Sequence, residues 1–220
     1  MTRSDPHSGP PCLPPTPAAI ARAAQAIRDG GLVGLPTDTV YGLAADATSD
    51  AAVESVFRAK GRPADKPLIA LIATMAMAEA CGTFSAPTLA LAEAFWPGPL
   101  TLVVPRAAGS PLSPLVHQGA PGVSLRIPGN ETACAVVEAA ERPLTAPSAN
   151  PSGAPSPLTA AEVAAGLGAH VALIVDGGRA ADSLGSTLLD LTGTAPRLLR
   201  AGVVSAEAIK GVIGPIARAD

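Results

Sequence analysis

Between residues 16 and 214, short apolar runs alternate with longer stretches of helical period, and this alternation leaves one class of fold. Residues 32–35, 68–72, 100–104, 123–127, 171–175, 186–191 and 197–199 read as strands. The helices between them carry their own start signals. Thr16-Pro17 supplies a hydroxyl cap and a proline at the first helical position, and Gly30-Gly31 ends that helix. Asp50 opens a second helix that stops at Gly61, and an alanine-rich stretch runs to Ala80. Further helices are expected over 88–95, 130–140 and 205–212, and Thr159 with Glu162 forms a capping box for one reaching Leu167. Strand and helix interleave throughout, so the expected class is α/β, a single-domain twisted open sheet with flanking helices. Residues 1–15 read as a disordered proline-rich tail, deletion of 1–14 is expected to leave activity and melting temperature nearly unchanged, and 215–220 read as a C-terminal tail.

Composition removes several functions. With 22 glycines and 24 prolines set among apolar runs and no period, collagen-like and solenoid readings fail. Aromatic residues are 2% of the chain, too few to stack successive bases of a single strand. The net charge of −3 advertises no global affinity for nucleic acid. Cys12, Cys81 and Cys134 lie far apart without a CxxC pair, which excludes a zinc framework or disulfide scaffold and fits a reducing compartment. The first residues lack the apolar core of a signal peptide, and no apolar run is long enough to span a bilayer. A soluble cytoplasmic protein without membrane contact is expected.

The chain has no GxxxxGK[ST], GxGxxG or GxSxG, so any phosphate site must be built otherwise. Arg58, Lys60, Arg62 and Lys66 crowd one helix end and the loop after it. Such a cluster suits a polyphosphate, although cations at a helix C-terminus also simply satisfy the dipole. The loop Pro36-Thr37-Asp38-Thr39-Val40-Tyr41-Gly42 leaves a strand, where ligands of open α/β sheets bind. An ordinary turn held by Asx and hydroxyl bonds would look alike. The loop from Pro147 to Ser156, with Ser148, Asn150 and Ser152, is equally balanced between a phosphate cradle and a plain connection. Arg126 inside Val-Ser-Leu-Arg-Ile-Pro needs a carboxylate, either a neighbour's or a ligand's. Gly185-Ser186-Thr187 and Arg200-Ala201-Gly202 are weak signals alone.

In order, PTDTVYGL at 36–43, KGRPADKPL at 60–68, WPGPLT at 96–101, SLRIP at 124–128, PSANPSG at 147–153, GSTLLD at 185–190 and RAG at 200–202 resemble the YrdC family of L-threonylcarbamoyladenylate synthases. The resemblance implies a YrdC-like catalytic domain over 16–214, a nucleotidyltransferase that joins L-threonine, bicarbonate or CO2, and ATP. It would release pyrophosphate and threonylcarbamoyl-AMP, which the tRNA threonylcarbamoyl transferase machinery uses to modify adenosine 37. By motif, Lys60, Arg62, Lys66, Ser148, Asn150, Ser156 and Arg200 would hold ATP, with Lys60 and Arg62 catalytic at the phosphates. Thr39, Arg126 and Ser186 would hold threonine, with Thr37 as a further contact. Mg²⁺ would arrive with ATP, with no tightly bound cofactor and no protein metal ligand. Many long members of the family carry Asn where Lys66 stands and His where Leu71 stands, some carry a hydroxyl where Ala146 stands, and the expected form is single-domain. A double-stranded-RNA binder or ribosome-assembly factor of the same fold is the alternative. The acidic pI of about 5.6 disfavours it as the main role but leaves room for weak RNA binding by a local patch.

Overall fold

In chain order the elements are β1 (Cys12–Leu13), α1 (Pro17–Arg28), β2 (Val33–Leu35), β3 (Gly42–Ala44), α2 (Asp50–Lys60), β4 (Ile69–Leu71), α3 (Met75–Cys81) and α4 (Ala86–Phe95). There follow β5 (Leu100–Pro105), α5 (Pro114–His117), β6 (Gly122–Arg126), α6 (Glu131–Ala140), β7 (Leu144–Thr145), α7 (Ala160–Leu167) and β8 (Leu173–Val175). The last are β9 (Thr187–Asp190), β10 (Arg197–Arg200), α8 (Ala206–Ile213) and β11 (Ala217–Arg218). This computed structural model describes residues 9–181 and 184–218. The α/β class with flanking helices is as expected. The caps of α1 and α7 are where the sequence put them, but α2 is capped by Ser49, whose hydroxyl accepts from Ala52 N, and Asp50 is its first helical residue. Thr16 accepts from Ala19 N and Thr159 from Glu162 N, while the Glu162 carboxylate reaches one residue past the cap to Leu158 N at 2.5 Å.

The expected single sheet is instead two ladders, β1-β8-β2-β3 and β11-β10-β9-β5-β6-β4-β7. Prolines explain the break. Residues 41–47 run antiparallel to 143–149, with Ala149 N donating to Tyr41 O, Leu43 N to Pro147 O, Thr145 N to Ala45 O and Ala47 N to Pro143 O. Pro143 and Pro147 have no N–H to return, so the pairing is one-sided and shrinks to the isolated bridges Gly42–Ser148 and Asp46–Leu144. This seam joins the two ladders edge to edge.

The terminal tails need a second correction. Residues 9–15 are not loose, because β1 pairs in parallel with β8, Cys12 opposite Ile174. Ile174 N donates to Pro11 O and Asp176 N to Leu13 O. Proline forbids a helix there but not an edge strand, whose outer side owes no donor. Removing this segment therefore strips sheet bonds. At the other end β11 pairs in parallel with β10. The parts of the expected tails at 1–8 and 219–220 lie outside the described residues.

Helices cover both faces of the strands. On one face Ala23, Ala24 and Ile27 of α1 and Val136, Val137 and Ala140 of α6 pack on β2, β8, Leu71 and Leu144. Small alanines let these two helices approach closely. The other face buries Val53 and Val56 of α2, Leu91 of α4 and Ile209 of α8 in one cluster with Leu100, Leu102, Val104, Val123, Leu125 and Leu189, while Val163 of α7 sits beside Gly34 and Ile174 of the smaller ladder. Part of the larger ladder is left without a helix on its second face, and the site lies there.

Candidate active site

Alternation along the strands builds the floor of this site. On β6, Val123 and Leu125 enter the core, whereas Gly122, Ser124 and Arg126 line an open cavity of about 720 Å³. On β9 Leu189 is buried in the core, while Leu188 and Asp190 line the cavity, as do Val103 of β5 and Ile69 and Leu71 of β4. A volume of this order accommodates a nucleotide-sized ligand.

Thr37, Thr39, Arg62, Arg126, Ser148, Ser156, Ser186 and Arg200 all line this one cavity. Arg126 sits 5% exposed and is fully oriented. Its Nε donates to Gly98 O at 2.9 Å, Nη1 to Thr39 Oγ1 at 3.2 Å and Nη2 to Asp38 Oδ1 at 2.5 Å. A guanidinium has five N–H groups, so these three bonds leave two for a ligand carboxylate. The two carboxylate choices open in the sequence are thus compatible: Asp38 is the neighbour, and donors remain. The hydroxyls have a fixed polarity as well. Thr37 gives its proton to Val40 O at 2.7 Å and accepts from Thr39 N, so the 3.0 Å contact between the two hydroxyls is donated by Thr39. Thr39 therefore faces the site as an acceptor, suited to an amine.

Arg200 donates from Nε and Nη2 to Ser186 O and from Nη2 to Ser186 Oγ at 3.0 Å. Ser186 Oγ also lies 2.7 Å from Thr101 Oγ1. Gly202 makes this possible, since a Cβ there would lie 2.5 Å from the Ser186 carbonyl carbon and Thr187 N. Loss of solvent around the guanidinium, then the charges of Arg126 and Arg62, lower the Arg200 pKa. Burial likewise lowers that of Arg62. The mutual repulsion of these cations calls for an anion between them.

Three expected contacts are elsewhere. Lys60 does not project from the turn: it is 4% exposed, and its ammonium donates to the carbonyls of Ser148 and Asn150. Burial, then the Arg62 charge, pull its pKa down to about 8. Asn150 is also buried, its amide spent on Pro151 O and Ala154 O. Lys66 is exposed and does not line the cavity. Sequence reasoning passed over Ser124, Asp190, Thr192 and Arg197 in the lining. Period two would have found Ser124 from Arg126 and Asp190 from Ser186. Asp190 is engaged by Arg197 at 3.0 Å and Thr192 at 2.6 Å.

Tyr41 is a post under the site rather than part of it. Fully buried, its hydroxyl donates to Gly178 O at 2.6 Å and accepts from Gly177 N at 3.2 Å. Burial, and next the Asp176 charge, raise its pKa from 10.0 to about 12. A phenol whose folded pKa is raised gives stability that is complete below pH 10 and lost as pH rises through the folded value. Tyr41→Phe is expected to cost about 1–2 kcal/mol at neutral pH, for the two hydroxyl bonds. The variant should also lack the Tyr41 part of the alkaline loss between pH 10 and 12, read from denaturant midpoints across that range.

A family model named Sua5_yciO_yrdC, described as telomere recombination, matches residues 25–202. The chain is 46% identical over 199 residues to a threonylcarbamoyl-AMP synthase of Pyrococcus abyssi, covering 90% of this chain and 58% of that protein. A putative threonylcarbamoyl-AMP synthase of Mycobacterium tuberculosis (strain H37Rv) is 41% identical, with 89% of each chain covered. The solved structure of P. abyssi Sua5 complexed with L-threonine matches with a TM-score of 0.88 at 44% identity, over 91% of this chain and 58% of that one. The chain thus spans little more than half the length of its Pyrococcus relative. Among the described residues no helix is long and apolar enough to cross a membrane.

Proposed function

The chain belongs to the Sua5/YciO/YrdC family, and we propose that it is an L-threonylcarbamoyladenylate synthase. It joins L-threonine, bicarbonate or CO2, and ATP into threonylcarbamoyl-AMP and pyrophosphate. The observation that carries this reading is the convergence of Arg62, Arg126 and Arg200 on a cavity whose carboxylate, Asp190, is already paired. Such a cavity suits substrates that bring a carboxylate and a polyphosphate together.

Threonine's carboxylate takes the two free N–H groups of Arg126, and its amine faces Thr39. The neutral amine adds to CO2, which bicarbonate supplies by taking up a proton and losing water, and the N–H proton leaves to solvent as the carbamate forms. A carbamate oxygen then attacks the α-phosphorus of ATP, forming the new P–O bond as the bond to pyrophosphate breaks. Arg62 and Arg200 balance charge on the phosphates, with Ser148 and Ser156 as hydroxyl contacts. No enzyme nucleophile is required. Mg²⁺ enters as part of MgATP. Among the described residues no cluster of three His, Cys, Asp or Glu could cage it, and Asp190 is committed to Arg197 and Thr192. The adenylate would then be passed on for threonylcarbamoylation of adenosine 37 in tRNA.

Pyrophosphate release should need threonine and bicarbonate together with ATP, each omitted in turn. Equal release without bicarbonate would indicate a simple aminoacyl adenylate. Failure of ATP to turn over, with RNA bound in a steeply salt-dependent way, would favour the RNA-binding alternative.

A further inference from the structure

The loop from Ser148 to Ser156 forms one wall of the cavity, and its own backbone makes only two short turns, Asn150 N to Ser148 O at 3.0 Å and Ala154 N to Pro151 O at 3.1 Å. Pro147, Pro151 and Pro155 contribute no N–H, so Asn150 O and Ala154 O take their donors from side chains, and Ser148 O and Pro151 O each gain a second donor beside their turn bond. Two buried side chains supply them. The Lys60 ammonium donates to Ser148 O and Asn150 O, and the Asn150 amide to Pro151 O at 2.8 Å and Ala154 O at 2.7 Å. A main-chain bond closes the set, from Ser152 N to Lys60 O at 2.7 Å.

Lys60 is the last residue of α2. Gly61 follows in the left-handed region at φ 57°, and Arg62 then enters the facing wall, held by its own loop through Pro67 O at 2.8 Å. One buried cation therefore ties the helix end that aims Arg62 to the loop that aims the Ser148 and Ser156 hydroxyls. Burying an ammonium is costly, and an apolar side chain would fill the space without that cost. What an apolar side chain cannot do is satisfy two carbonyls and fix the loop.

We propose that Lys60 and Asn150 are positioning residues for the nucleotide: without touching it, they preset the 148–156 loop against Arg62 so that one polyphosphate can reach both walls. This rests on the ATP-dependent reading above. The threonine contacts are supported separately, Arg126 by Gly98 and Asp38 and Ser186 by Thr101 and Arg200, so the two ligands respond differently.

The test compares the full chain with Lys60→Met and Asn150→Ala by calorimetric titration of ATP and of threonine. ATP affinity should fall at least ~10-fold, because a wall misplaced by ~1 Å can cost ~10²-fold in positioning. Threonine affinity should stay within about 2-fold, since its supports are untouched. Unchanged ATP affinity, or equal losses for both ligands, would overturn the proposal. Hydrogen exchange on the unliganded wild type decides the matter even if Lys60→Met does not fold. The amides of Ser152 and Ala154, bonded to Lys60 O and to the Pro151 O that the Asn150 amide also holds, should already be protected, and free-peptide exchange there that slows only on adding ATP would also overturn it. A wild type that binds no ATP would instead count against the proposed function, while exchange would still read the clamp.

Discussion

Arg126→Ala is expected to lose at least ~10²-fold in kcat/KM for threonine, and to lose stability with it. Truncating one partner of a buried, hydrogen-bonded charge pair costs ~2–5 kcal/mol in binding, which sets that scale. The stability loss has a separate source. Asp38 faces Arg126 from a side chain 16% exposed, and its Oδ2 already lacks a partner. Taking Arg126 away leaves that carboxylate uncompensated, at a cost of ~3–5 kcal/mol. Adding Asp38→Asn should recover much of the stability, because a neutral amide is cheaper to leave in place, but none of the threonine affinity. Denaturant unfolding and threonine-dependent pyrophosphate release on the single and double variants separate the two effects. Threonine-dependent turnover that survives in a folded Arg126→Ala protein would remove the carboxylate assignment.

The Arg126 and Lys60 surroundings show what a sequence can and cannot convey about such a site. The helices α1, α2, α6, α7 and α8 were legible because their signals are local: an apolar face repeating within one turn and a hydroxyl or amide at the cap. The seam between the ladders was not, because its partners are about a hundred residues apart and its prolines hide the strand pattern. β1 and β11 were missed for a related reason, each being two residues of edge strand fixed only by a distant neighbour. At the site, the cavity residues on loops and strands such as Thr39, Arg126 and Ser186 came from motifs that fix side chain and backbone together. Lys60 was misplaced because the cation cluster was read as charge seeking charge. Its partners are backbone carbonyls 88 and 90 residues away, which no pattern of side-chain letters records.

The same contrast makes Arg62 the cleaner probe of phosphate binding. Arg62→Ala should lower turnover at least ~10²-fold, the effect of removing one strong transition-state donor. Stability should change by less than ~1 kcal/mol, as for a cation with only local acceptors. Those acceptors are Lys66 O at 3.3 Å and Pro67 O at 2.8 Å, both in its own loop, and no carboxylate is left bare by its removal. Arg62→Lys should rescue only in part, because an ammonium supplies a point charge but not the planar fork that spans two phosphate oxygens. Arg58 is the control. It is exposed on α2, donates to Ser55 Oγ at 2.8 Å and does not line the cavity. Arg58→Ala should therefore leave turnover near normal. Steady-state pyrophosphate release at varied ATP, with thermal unfolding of each variant, measures both quantities. Near-normal turnover in Arg62→Ala, or an equal loss in Arg58→Ala, would show that the phosphates are held elsewhere on this surface.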